Sequence, residues 1–98
     1  MTTEYIRYRI DAEQQPAFVE AITQSCRFLD EAPECLSYQL SQGEEDPASF
    51  IWRIEWTSTE QHLNGFRKSP AFAGFFQLVK PFFNDILEMS HYQRLLEG

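Results

Sequence analysis

Two spacings alternate along the 98-residue chain, and they predict its elements in order. In Tyr5-Ile6-Arg7-Tyr8-Arg9-Ile10 the residues Ile6, Tyr8 and Ile10 fall on one face and Arg7 and Arg9 on the other. That is the two-residue period of a strand covered on one side. Asp11 then offers a helix N-cap, and Pro16 fits in the first turn, where backbone N–H groups have no intrahelical partner. Phe18, Ile22, Cys26 and Leu29 recur at helical spacing as one apolar stripe, and Pro33 ends the helix. Period two returns from Cys35 to Gln42, with Leu36, Tyr38 and Leu40 on one face and Cys35, Ser37 and Gln39 on the other. The polar turn Gly43-Glu44-Glu45-Asp46-Pro47 leads into Phe50-Ile51-Trp52-Arg53-Ile54-Glu55-Trp56, where Phe50, Trp52, Ile54 and Trp56 share a face. β-Branched and aromatic runs flanking a short acidic loop predict an antiparallel hairpin.

Thr57-Ser58-Thr59-Glu60 has the form of a capping box, with a hydroxyl as cap and Glu reaching back. His62, Leu63 and Phe66 follow on one helical face. Ser69-Pro70 restarts the helix, with Ser as cap and Pro at the first position, and Phe72, Phe75, Phe76 and Val79 continue the stripe. Pro81 breaks it, and Asp85 to Gln93 alternates as a last strand. The order βαββαβ predicts one α+β domain over residues 1–98 of the ferredoxin-like kind, a four-stranded antiparallel sheet with its helices on one side. The other sheet face is left bare, and a second copy of the same sheet is the partner that suits it, making a homodimer.

Composition narrows the function. Nine Phe, four Tyr and two Trp are many rings for a domain that buries only roughly 60–65% of its unfolded surface. Some of them are therefore expected to line a cavity or an interface. A net charge of −7 argues against nucleic acid, which needs basic surface to displace counterions from phosphates. No apolar run has the length of a membrane span, and the opening MTTEYIRYRI lacks the basic-then-apolar layout of a signal peptide. Cys26 and Cys35 form no metal-ligand spacing and read as reduced, buried thiols of a cytoplasmic protein. No glycine-rich phosphate loop encodes a flavin or nicotinamide site, so no cofactor is expected, and neither a Ser–His–Asp nor a Cys–His set is recognisable.

The stretch Glu34-Cys35-Leu36-Ser37-Tyr38-Gln39-Leu40, the strand ending Glu55-Trp56, the step Ser69-Pro70-Ala71-Phe72, and Phe18 eight residues after Ile10 resemble the antibiotic-biosynthesis-monooxygenase family. The resemblance spans nearly the whole chain. It implies a dimeric α+β barrel, with sheets packed face to face and a pocket in each subunit between sheet and helices. Its cofactor-independent members oxidise aromatic substrates directly with oxygen, the electrons coming from the substrate's own phenolate or enolate. This chain departs from the family pattern at several positions. The His that often precedes the Ser-Pro step by three residues is replaced by Phe66, and the one just after the Pro by Ala71. The Asn, Trp and His of the haem-degrading relatives fall at Ile6, Phe66 and Phe76, so the resemblance implies no haem chemistry.

What the resemblance implies for the site is a flat apolar slot, a proton acceptor and a donor for a developing oxyanion. Trp52 and Trp56 lie on the face that would line the slot, with Phe66, Phe72, Phe75 and Phe76 as further substrate-binding rings. His62 is the side chain there that titrates near neutrality and is the candidate catalytic base, with Trp56 beside it. Tyr8 as a catalytic donor and Tyr38 as a substrate contact complete the set, because buried phenols need partners. Arg7, Arg9, Arg53 and Glu55 are expected on the opposite sheet face as ion pairs. Two functions fit: a cofactor-independent monooxygenase acting on a small aromatic or quinol-type compound, or a non-catalytic dimer of the same fold that binds or senses a small ligand.

Overall fold

A computed structural model describes all 98 residues. The strands are β1 (Thr2–Arg9), β2 (Cys35–Gln42), β3 (Ser49–Trp56) and β4 (Ile86–Tyr92), and the helices are α1 (Gln15–Asp30) and α2 (Pro70–Val79). The strands form one antiparallel sheet in the order β2-β3-β1-β4. This is the expected α+β ferredoxin-like arrangement, and no helix is long and apolar enough to cross a membrane.

The helix-facing side of the sheet carries the core. Ile6 and Tyr8 from β1, with Phe50, Trp52, Ile54 and Trp56 from β3, are buried as the two-residue period requires. Phe18, Ile22 and Leu29 of α1 cover them. Phe18 is fully enclosed, its ring edge-on to Tyr8, Phe50 and Phe82 at centroid distances of 4.7, 5.0 and 5.2 Å. The two helices approach closely at Gly74, where an added Cβ would lie 2.5 Å from Phe28 Cζ.

Three local departures from the simple periods have identifiable causes. Cys35 pairs with Trp56 and Ser37 with Glu55, so Leu36 is the extra residue of a β-bulge and turns out to solvent instead of sharing a face with Tyr38 and Leu40. Both cysteines are half-buried, not buried, and unpaired. Burial first, and then the Asp30 charge, push each thiol up to about 11. The segment after β3 is capped by Ser58, whose Oγ accepts the Gln61 N–H at 3.0 Å, so the reaching-back role expected of Glu60 is not taken. It then forms a π-helical turn at Gln61–Gly65, in which the Phe66 N–H is shared between the carbonyls of Gln61 and His62. The wider turn keeps His62 and Phe66 inside and turns Leu63 outward.

The opposite sheet face is polar. Its charges pair across strands, to the β2–β3 loop and to the C-terminal tail: Arg7 with Glu88 at 3.9 Å, Arg9 with Asp46 at 2.9 Å, and Glu55 with Arg94 at 3.6 Å. Arg53 instead lies over the Tyr5 ring, 5.9 Å from its centroid. A broad open concavity of about 480 Å³ on this face is lined mainly by those polar groups.

Candidate functional site

On the other side, between sheet and helices, lies a smaller cavity of about 200 Å³ whose walls are mostly aromatic. Trp52 and Phe75 stack along one wall at 5.7 Å, and Phe66 meets Phe72 and Phe75 edge-on at 5.8 and 5.2 Å. Phe76, Tyr8 and Met89 also line it. Trp52 is 1% exposed, and its Nε1–H is a buried donor without a partner. Such groups are rare, because a buried donor forfeits its hydrogen bond to water.

One end of the cavity is polar, and its centre is Glu4. The register explains why. Glu4 stands on the buried face of β1 with Thr2, Ile6 and Tyr8, opposite Ile54 of β3 and His91 of β4. Trp56 is two residues beyond Ile54 on the same face, and the π-helical turn sets His62 above it. The Trp56 Nε1–H donates to Glu4 Oε1 at 3.1 Å, and His62 Nε2 lies 3.4 Å from the same oxygen. His62 Nδ1 is 2.8 Å from His91 Nε2, and Arg67 brings its guanidinium to 3.9 Å from Glu4 Oε2. The carboxyl and the His62 ring are both nearly sealed, at 5% and 3% side-chain exposure, whereas Arg67 is 39% exposed.

Burial dominates the electrostatics. It raises the Glu4 carboxyl above its ordinary range, opposed by the Trp56 hydrogen bond and the Arg67 charge. It lowers His62 to about 3, with the positive Arg67 and neighbouring His91 adding to the effect. His91 is lowered for the same reasons, burial first and Arg67 second. Burial and then the Glu4 charge push the Tyr8 phenol upward. The result is a carboxyl moved toward neutrality beside an imidazole that stays uncharged.

The sequence profile of the antibiotic biosynthesis monooxygenases matches residues 1–78. The chain belongs to that family. Several solved structures share the monooxygenase-family fold with it. One from Bordetella bronchiseptica, assigned to the antibiotic biosynthesis monooxygenases, is 21% identical over 97% of each chain, with a TM-score of 0.83. A variant of SnoaB from Streptomyces nogalater, a cofactor-independent oxygenase, is 13% identical over 98% of this chain and 94% of that one, with a TM-score of 0.79. A conserved protein from Methanosarcina mazei is 17% identical over 96% and 92%, with a TM-score of 0.78. Curated proteins yield no match.

Within this monooxygenase-family fold, most of the residues singled out from the sequence meet at the one cavity. Trp52, Trp56, His62, Tyr8, Phe66, Phe72, Phe75 and Phe76 all line it. Tyr38 does not. It lies on β2 at the sheet edge, 38% exposed, and its hydroxyl donates to Asp30 Oδ1 at 2.7 Å. As the outermost strand, β2 is separated from the cavity by β3. His62 was expected as the one side chain there that titrates near neutrality, but His91 meets it, and Glu4 and Arg67 complete the cluster. Glu4 carried a legible signal, because extending the alternation of Ile6 and Tyr8 back by one step puts a carboxylate on the buried face. His91 did not, since its meeting with His62 depends on the order of strands in the sheet. No group of three His, Cys, Asp or Glu side chains is placed to hold a metal.

Proposed function

We propose that the protein is a cofactor-independent monooxygenase that oxidises a small phenolic or quinol-type aromatic compound in the cavity between sheet and helices. The observation that carries this reading is a buried, upshifted carboxyl at the end of an aromatic slot, with a cation at its edge. At about 200 Å³ the cavity is smaller than the usual range for drug-sized ligands, which favours a substrate of one or two rings. The base role passes from His62 to Glu4. An imidazole lowered to about 3 is a weak proton acceptor, whereas a carboxyl raised by burial approaches the basicity that general-base catalysis favours.

In this mechanism Glu4 takes the substrate's hydroxyl proton, and Arg67 offsets the charge of the phenolate left behind. The phenolate supplies the electrons to molecular oxygen, and a peroxide forms at a ring carbon bearing hydrogen. Loss of that hydrogen as a proton and cleavage of the O–O bond leave a carbonyl. One oxygen atom stays in the product and the other departs as water. The unpartnered N–H of Trp52, a ring of the slot wall, is the donor assigned to a substrate oxygen on which charge develops. Phe66 and Phe75 hold the ring plane, and Tyr8 closes the wall.

The protein works as a homodimer in this reading, its polar sheet faces apposed around their cross-strand ion pairs, and its two unpaired cysteines suit the cytoplasm. The test is oxygen consumption with mono- and dihydroxyaromatic compounds and no added cofactor. Glu4→Gln should lower turnover about a hundredfold to ten-thousandfold while ligand quenching of tryptophan fluorescence persists. Quenching without oxygen uptake by any such compound would replace the enzyme reading with that of a ligand-binding dimer.

A further inference from the structure

Glu4 is sealed, yet a base must exchange its proton with water. Its carboxyl is 5% exposed and His62 is 3% exposed, and a substrate filling the cavity that both line leaves neither open to water on that side. The route out lies in the same cluster. His62 Nδ1 and His91 Nε2 are hydrogen-bonded at 2.8 Å, and His62 Nε2 lies 3.4 Å from Glu4 Oε1, a contact that must shorten to a hydrogen bond for a proton to cross. His91, on edge strand β4, is half-buried, which makes it the member of the row in reach of water. We infer that Glu4, His62 and His91 form a proton relay that sets the ionisation of the buried carboxyl from the surface, with His91 as its terminus.

The row has two arrangements that differ by one proton. In the first, the Glu4 hydroxyl faces His62 Nε2, the His62 Nδ1–H donates to His91 Nε2, and the His91 Nδ1–H faces outward. In the second, Glu4 is a carboxylate facing His62 Nε2–H, the His91 Nε2–H donates to His62 Nδ1, and the proton has left from His91 Nδ1. Each ring takes up a proton at Nε2 as it gives one up from Nδ1, so no imidazolium forms. That matters beside Arg67, whose charge and the surrounding burial oppose a charged ring. The charged and titratable groups facing His62 are Glu4 from β1, Arg67 from the turn before α2, and His91 from β4, with Tyr8 further along β1. The reverse shift returns the proton to Glu4 when the intermediate of oxygen transfer has taken one up. His91 lies beyond the residues that the family profile matches, so the relay is read from this chain's own geometry.

The relay rests on the base role proposed for Glu4, and the two are separable by experiment. With [15N]histidine-labelled protein and no substrate, NMR reports the tautomer of each ring across a pH titration. Joint tautomer exchange of His62 and His91 at one midpoint, without double protonation of either ring, is expected, and it should vanish in Glu4→Gln. His91→Gln tests the terminus, because its amide N–H can still donate to His62 Nδ1 but cannot relay. It should abolish the His62 tautomer change and slow oxygen uptake tenfold or more, with partial rescue by added imidazole. Independent titration of His91 with His62 unchanged, or a wild-type tautomer change in His91→Gln, would overturn the relay. If oxygen uptake is absent from the wild type, the monooxygenase reading fails while the NMR measurement still decides the relay.

Discussion

The imidazole of His62 lies flat on the indole of Trp56, with ring centroids 4.3 Å apart and planes inclined by 11°. Both rings also place a nitrogen at one oxygen, Glu4 Oε1, at 3.4 and 3.1 Å. The stack therefore aligns the two groups that address the carboxyl. Trp56→Phe keeps an aromatic surface for His62 but removes the N–H. Because that hydrogen bond lowers the Glu4 pKa, its loss should leave the carboxyl more firmly protonated. The expected cost is about 1–3 kcal/mol of folding stability, read from the urea midpoint, together with a turnover optimum shifted to higher pH. An unchanged pH profile would show that the Trp56 N–H has no part in setting Glu4.

Trp52 makes a contrasting prediction. Its N–H has no partner, so Trp52→Phe removes a group that burial already penalises by about 1–3 kcal/mol, against a cavity cost of similar size. Folding stability should change little. Affinity for a hydroxyaromatic ligand should fall about tenfold, equivalent to about 1.4 kcal/mol, while an unsubstituted hydrocarbon of the same shape binds as before. Calorimetric titration of such a pair checks it. Equal losses for both ligands would mean that Trp52 contributes only its surface.

The two buried titratable groups pull stability in opposite directions with pH. His62 has a folded pKa lowered to about 3 from 6.5, so below 6.5 the unfolded chain binds the extra proton. Its contribution is present above 6.5 and is lost as pH falls toward 3, with a slope of up to about 1.4 kcal/mol per pH unit. Glu4 is raised from 4.5, so its contribution is present below 4.5 and is lost as pH rises through the folded value. From 4.5 upward, until pH passes the raised folded value of Glu4, the two oppose each other and flatten the profile. Glu4→Gln should steepen the loss of stability on acidification, and His62→Gln should abolish it, both measured as urea midpoints across that interval.

The polar sheet face carries the prediction on assembly. Sedimentation at micromolar concentration should give about twice the 11.5 kDa chain mass. Arg53 lies over Tyr5 at the centre of that face, and Arg53→Glu should shift the equilibrium toward monomer by setting like charges against Glu55 and Glu88. A monomeric wild type would rule out the apposed-sheet arrangement.

Much of this molecule was legible in its residues, because the reasons were local. The alternation in Ile6 and Tyr8 and in Phe50 through Trp56 specified which strand faces are buried, since successive side chains in a strand must point to opposite sides. The stripe from Phe18 to Leu29 and the Ser69-Pro70 restart specified two helices for equally local reasons. The aromatic excess pointed to a cavity or an interface, and the family resemblance implied its place between sheet and helices. Three things required the tertiary structure. The bulge at Leu36 and the π-helical turn at His62 are single-residue shifts of register, and a periodic pattern tolerates either reading until neighbouring elements choose one. Tyr38 had the composition of a pocket residue, but β2 lies at the sheet edge, and strand order is a non-local outcome. The cluster of Glu4, Trp56, His62 and His91 draws on β1, β3, the turn after β3 and β4. Only the packing of those elements brings into contact a carboxyl and two imidazoles up to 87 positions apart in the chain, and burial there, joined by the Arg67 charge at the imidazoles, moves the carboxyl up and the imidazoles down.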